Sequence, residues 1–66
     1  MRENDRLSGS VTNAVGRISA ERDEAATWRN TEAKKGDFFR QVMWQKKYEG
    51  LQRAIQILIE EGVFVP

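Results

Sequence analysis

The chain contains no cysteine and no histidine among its 66 residues. The absence of cysteine excludes disulfides and thiolate chemistry, and the absence of both residue types removes the ligands of the commonest zinc sites. The Asp-x-Asp-x-Asp-Gly pattern of a calcium-binding loop is also missing. We therefore expect no metal and no cofactor.

Long apolar runs are absent as well. No stretch approaches the roughly 20 consecutive apolar residues that a helix needs to cross a bilayer. The charged segment 1–6 leads into no apolar core of the length found in signal peptides. Together with the lack of cysteine, which fits a reducing compartment, these features predict a cytoplasmic protein with no membrane partner.

The usual residues of catalysis are scarce too. Most base–nucleophile pairings use histidine or cysteine, and neither occurs here. The acidic cluster of Glu21, Asp23 and Glu24 has no second carboxylate group at a matching spacing, so we interpret it as a solvated helix face. Gly9 and Gly16 do not fit a phosphate-binding loop. We predict that the chain is not an enzyme and has no catalytic residue.

An apolar row with heptad spacing, typical of a coiled coil, predicts a first helix over about residues 8–35. The row consists of Leu7, Val11, Ala14, Ile18, Ala25 and Trp28. Glu21 occupies the position that this row skips. Two interpretations of it remain open: the carboxylate extends to solvent, or it is buried, pairs with Arg53 or a second chain, and fixes the register.

The segment Lys34-Lys35-Gly36-Asp37 predicts the end of one helix and the start of another. Lysines favour the negative end of the helix dipole, and glycine adopts the left-handed conformation that often follows a helix. Asp37 can cap the next helix with its carboxylate. Because this turn is so short, the two helices should be antiparallel neighbours.

The second helix, predicted over about 38–61, carries two apolar rows about 120–140° apart around its axis. The first row consists of Trp44, Tyr48, Leu51, Ile55 and Leu58. The second row consists of Phe39, Met43, Gly50, Ala54 and Ile57. One neighbouring helix can cover only one of the two rows. We therefore predict that the second row mediates self-association.

A turn at residues 36–37 makes the numbers of facing residues sum to about 73, which places Trp28 near Trp44 and Ile18 near Ile55. A chain this small buries only about 60% of its unfolded surface, so oligomerisation is the remaining way to stabilise it. The predicted fold is therefore all-α: one domain over 1–66, an antiparallel two-helix hairpin that assembles into a four-helix bundle or a higher helical oligomer.

The last residues form an apolar tail over 62–66. Gly62 is suited to end the second helix, and Val63 can fold back on its last turn. Two interpretations of the tail remain open. It covers the open end of the hairpin near Leu7 and Val11, or it adds to a partner as a short strand or hook.

The net charge of +1 is unevenly distributed along the chain. It is −1 over residues 1–27, +4 over 28–53 and −2 over 54–66. Basic and aromatic or apolar side chains therefore cluster around the turn, and the candidate partner-binding residues are Arg29, Lys34, Lys35, Phe38, Arg40, Val42, Trp44, Lys46 and Lys47. This pattern suits an acidic surface of a larger protein, the phosphates and bases of a nucleic acid or nucleotide, or simply solvent.

In size and hairpin pattern the chain resembles the small plasmid copy-control proteins that dimerise into four-helix RNA-binding bundles. That resemblance is architectural and carries over no residue. The compact, cysteine-free helical chain is also similar in style to small phage- or plasmid-encoded proteins that bind and disable a larger host protein. We predict a non-enzymatic regulator or inhibitor of this second kind that also binds itself. Nucleic-acid or nucleotide binding is the alternative.

Overall fold

The computed structural model describes the backbone of residues 3–65 and the side chains of residues 9–65. The described residues form two α-helices, α1 over Glu3–Lys35 and α2 over Phe38–Glu60. The two helices pack against each other, so the predicted all-α hairpin is confirmed. Neither helix, over its described residues, has the apolar span that crossing a bilayer requires.

Helix α1 begins at Glu3, five residues before the start predicted near residue 8. Acidic residues at positions 3 and 5 favour the positive end of the helix dipole. Gly9 weakens a helix by only about 1 kcal/mol relative to alanine, which is too little to end one. Leu7, which was predicted to belong to the apolar row, lies outside the residues whose side chains are described.

The turn between the helices is built from local hydrogen bonds. Gly36 has a φ of 77°, and its N–H donates to the carbonyl oxygen of Ala33 at 3.1 Å. The N–H of Asp37 donates to the carbonyl oxygen of Glu32 at 3.0 Å, which completes a Schellman motif. The Asp37 carboxylate then accepts from the N–H of Arg40 at 3.1 Å and caps α2.

The end of α2 repeats the same geometry. Gly62 has a φ of 72°, and its N–H donates to the carbonyl oxygen of Ile59 at 3.0 Å. The N–H groups of Val63 and Phe64 donate to the carbonyl oxygen of Leu58 at 2.9 and 3.2 Å. The tail therefore folds back over the last turn of α2 and leaves Phe64 half-buried.

Contacts between the helices confirm the predicted register. The rings of Trp28 and Trp44 stack with their centroids 6.0 Å apart and an interplanar angle of 19°. Nearer the open end of the hairpin, a guanidinium nitrogen of Arg22 donates to Oε1 of Gln52 at 2.9 Å. Both pairs have residue numbers that sum to about 73, as a two-residue turn requires.

The face of α1 that meets α2 shares Val11, Ile18 and Ala25 with the predicted row and differs from it elsewhere. Ala14 is exposed and Trp28 is 42% exposed, whereas Val15 is buried. The less exposed positions follow a different heptad, formed by Val11, Val15, Ile18, Arg22, Ala25, Arg29 and Glu32. Arginine can lay its aliphatic stem along an apolar surface, so a row defined by apolar residues alone passes over these positions.

Glu21 is exposed, so its burial within the hairpin seam is excluded. Its predicted partner Arg53 instead contacts Glu60, with 3.3 Å between the guanidinium nitrogen and the carboxylate oxygen. Among the side chains that the structure describes, the buried carboxylate is that of Glu32, a residue that is 3% exposed. The sequence was right to expect a charge near the seam but assigned it to the wrong glutamate.

The first apolar row of α2 faces α1 as predicted. Ile55 is buried, and the other four members of that row are half-buried. The core is nevertheless thin. Among the side chains that the structure describes, the buried apolar ones are Val15, Ala25 and Ile55.

Candidate functional site

The second apolar row of α2, called the outer row below, faces away from the hairpin core. Phe39 is 83% exposed and Met43 is 69% exposed. Gly50 and Ile57 are also exposed, and Ala54 is half-buried. Large apolar side chains gain most from being covered, so this solvent-facing row is a candidate interaction surface.

A groove of about 380 Å³ opens between the helices near the turn. It is lined by Trp28, Glu32, Arg40, Met43 and Trp44. The groove joins Met43 of the outer row to the partly exposed ring of Trp28, so the apolar surface extends onto α1. Trp28 and Glu32 were not predicted as site residues, although the register alone places position 32 opposite position 41.

Glu32 changes the electrostatics of the turn end. Its carboxylate is almost fully buried, and Nζ of Lys35 lies 3.9 Å away. Arg40 lines the same groove, and its Nε lies 3.6 Å from the Asp37 carboxylate. A buried carboxylate needs nearby cations. Two of the predicted partner-binding cations, Lys35 and Arg40, therefore already contact carboxylates of their own chain.

Arg29, another predicted partner-binding residue, holds the two helices together. One guanidinium nitrogen donates to Oε1 of Gln45 at 2.7 Å, and the guanidinium carbon lies 5.3 Å from the centroid of the Tyr48 ring. Arg29 is half-buried by these contacts. The structure therefore gives this side chain a role within the hairpin that its sequence position did not reveal.

The remaining cations and apolar groups at the turn end are open. Among the described side chains, Lys34, Lys46 and Lys47 make no ion pair, although Nζ of Lys47 lies 5.4 Å from the Trp44 ring centroid. Phe38 is 70% exposed, and Val42 is exposed beside it. We call Lys34, Phe38, Val42 and Lys46 the turn-end surface.

The opposite side of the hairpin is polar. Gln45 and Gln52 lie about 160° around α2 from Met43 and Gly50. Each of these glutamines accepts a hydrogen bond from an arginine of α1. The hairpin therefore has one side closed by polar contacts and one side with an open apolar groove.

Within the described part of the chain, no three acidic side chains are grouped so that they could hold a metal ion. The arrangement that is present offers apolar, aromatic and cationic contact surface. Comparison of the chain with models of protein families, with curated protein sequences and with solved structures finds no match.

Proposed function

We propose that this chain is a small non-enzymatic binding protein that self-associates through the outer row and docks a larger, acidic protein through the turn-end surface. The docking proposal rests on the spacing of Phe38, Val42 and Lys46. These residues repeat every four positions, so they form one exposed stripe of apolar and cationic groups on α2. Apolar anchors flanked by steering charges are typical of protein-docking surfaces.

Self-association is supported by the surface area and shape of the single chain. The chain exposes 5294 Å², whereas a folded monomer of this mass exposes about 4,300 Å². The excess of about 1,000 Å² exceeds the roughly 800 Å² that each partner buries in a standard interface. The radius of gyration is 15.0 Å, compared with about 11 Å for a compact domain of this length.

A protein partner is favoured over a nucleic acid by the state of the aromatic rings. Single-stranded nucleic acids bind by stacking bases on open ring faces. Here Trp44 stacks with Trp28 and is approached by Lys47, and the Tyr48 ring is covered by Arg29. Trp44 and Tyr48 therefore offer little free face for a base, whereas the exposed rings of Phe38 and Phe39 lie beside the apolar side chains of Val42 and Met43.

Affinity capture tests the docking proposal. The tagged chain is incubated with nuclease-treated lysate of the cells that encode it, in parallel with a Val42→Asp, Lys46→Glu double variant. An Arg17→Glu variant is the control, since it introduces the same charge reversal as Lys46→Glu at an exposed position of α1 away from the turn. We expect the wild type and the control each to capture one protein in a stoichiometric amount. The double variant should capture at least about tenfold less of that protein.

Two outcomes would contradict this proposal. If the double variant retains the same protein as the wild type, the turn-end surface is not the docking site. If the material captured without nuclease absorbs at 260 nm, is released by moderate salt and disappears after nuclease treatment, the nucleic-acid alternative replaces the protein partner.

A further inference from the structure

The charges of α2 are placed against its own helix dipole. Arg40 lies in the first turn and Glu60 in the last, and their partners within the chain, Asp37 and Arg53, lie outside those turns. The dipole favours the reverse arrangement, and only the cap Asp37 satisfies it. A second α2 running in the opposite direction would place each of these charges near its complement.

Gly50 has no packing role within the hairpin. A Cβ built at this position meets no atom within 4 Å, so the space beside it is open. Glycine in the middle of a helix weakens it relative to alanine. Met43 and Ile57 lie seven residues to either side of Gly50, which places all three on the same face of α2. The face is therefore symmetric about a position where another backbone could approach closely.

We propose that a second copy of this chain covers the outer row with its own α2 antiparallel to the first and crossing it at Gly50. This arrangement rests on the self-association proposed above and specifies its geometry. The numbers of two residues that face each other, one from each copy of α2, then sum to about 100. Met43 of one copy meets Ile57 of the other, and Arg40 of one copy lies at the same level along the helix axis as Glu60 of the other.

The charge distribution of the whole hairpin favours this orientation over its alternative. The turn end, residues 26–47, carries a net charge of +4, and the open end, residues 3–16 with 57–65, carries −3. The antiparallel pair places each turn end beside the open end of the other copy. The alternative, with both turns at the same end, would place +4 beside +4 and −3 beside −3.

Crosslinking between introduced cysteines tests the orientation, because the natural chain contains no cysteine. Equimolar Met43→Cys and Ile57→Cys variants are mixed and oxidised, and each variant is also oxidised alone. In the proposed pair, two residues at position 43 are separated by about 21 Å along the helix axis, whereas position 43 faces position 57. We expect a disulfide-linked heterodimer in the mixture and almost no homodimer from either variant.

Gly50 is tested with a matched pair of substitutions. Gly16 is also an exposed glycine in the middle of a helix with open space at its Cβ position, but it lies on the far side of α1. We expect Gly50→Leu to raise the dimer dissociation constant at least about tenfold and Gly16→Leu to change it less than about twofold, as measured by sedimentation equilibrium.

The outcomes separate the two proposals. A wild-type chain that sediments as a monomer at tens of micromolar overturns self-association and the antiparallel arrangement together. If the wild type dimerises but the Met43→Cys variant oxidised alone forms a disulfide-linked homodimer, only the arrangement is overturned. If Gly50→Leu and Gly16→Leu change the dimer dissociation constant equally, the helices do not cross at Gly50.

Discussion

The two sides of this hairpin differ in how they are closed. On the glutamine side, Arg22 and Arg29 of α1 donate hydrogen bonds to Gln52 and Gln45 of α2. On the tryptophan side, apolar walls leave a groove beside Met43. Polar bonds across one side can therefore hold two helices in register with a very small core. The apolar side is left available for another molecule.

The largest effect is expected from the core that both sides share. Ile55→Ala removes a buried side chain from the α1–α2 interface and should lower the free energy of unfolding by about 2–4 kcal/mol. Urea denaturation followed by circular dichroism measures the change. Gln56→Ala, at the exposed neighbouring position, should change stability by less than about 0.5 kcal/mol. Equal stability of the two variants would show that the interface described here does not hold the hairpin together.

An intermediate effect is expected on the glutamine side. Arg29→Met keeps the aliphatic stem but removes the hydrogen bond to Gln45 and the contact with Tyr48, and should lower the free energy of unfolding by about 1–2 kcal/mol. Combining it with Gln45→Met in a double-mutant cycle should give a coupling energy of about 1 kcal/mol. If the effects of Arg29→Met and Gln45→Met on the free energy of unfolding simply add, this hydrogen bond does not hold the helices together.

The smallest effect is expected away from both sides. Gly16→Ala should raise the free energy of unfolding by up to about 1 kcal/mol, because the added Cβ meets no atom and alanine favours the helix. Thermal unfolding at several protein concentrations measures this gain. We expect the gain to be the same at every concentration, because Gly16 lies outside the proposed interface. If Gly16→Ala instead lowers the stability, and lowers it more at higher protein concentration, the interface lies on the opposite side of the hairpin.

The ends of the helices were predictable because they depend on local chemistry. Gly36, Asp37 and Gly62 each act on hydrogen bonds within a few residues, so their sequence neighbours are sufficient to identify them. The register followed from the length of the turn. The start of α1 was predicted too late because the apolar row begins only at Leu7, whereas the acidic residues before it also favour a helix start.

The buried face of α1 was only partly predictable from its apolar pattern, which placed Val11, Ile18 and Ala25 correctly. Arg22, Arg29 and Glu32 occupy heptad positions that a hydrophobic row does not count, and the roles of the two arginines depend on partners in α2. For the same reason Arg29 was assigned to a partner surface and Trp28 to the core. The exposure of Phe38 and Met43 was easier to predict, because one helix cannot cover every side of another.

The elongated shape of the hairpin limits how the proposed pair would engage its targets. The chain measures 51 Å along its longest axis. An antiparallel pair would carry one docking stripe near each end of a stiff rod of about that length. Such a rod would gain avidity from two target sites only where their spacing matches its span, and it would bridge separate target molecules otherwise.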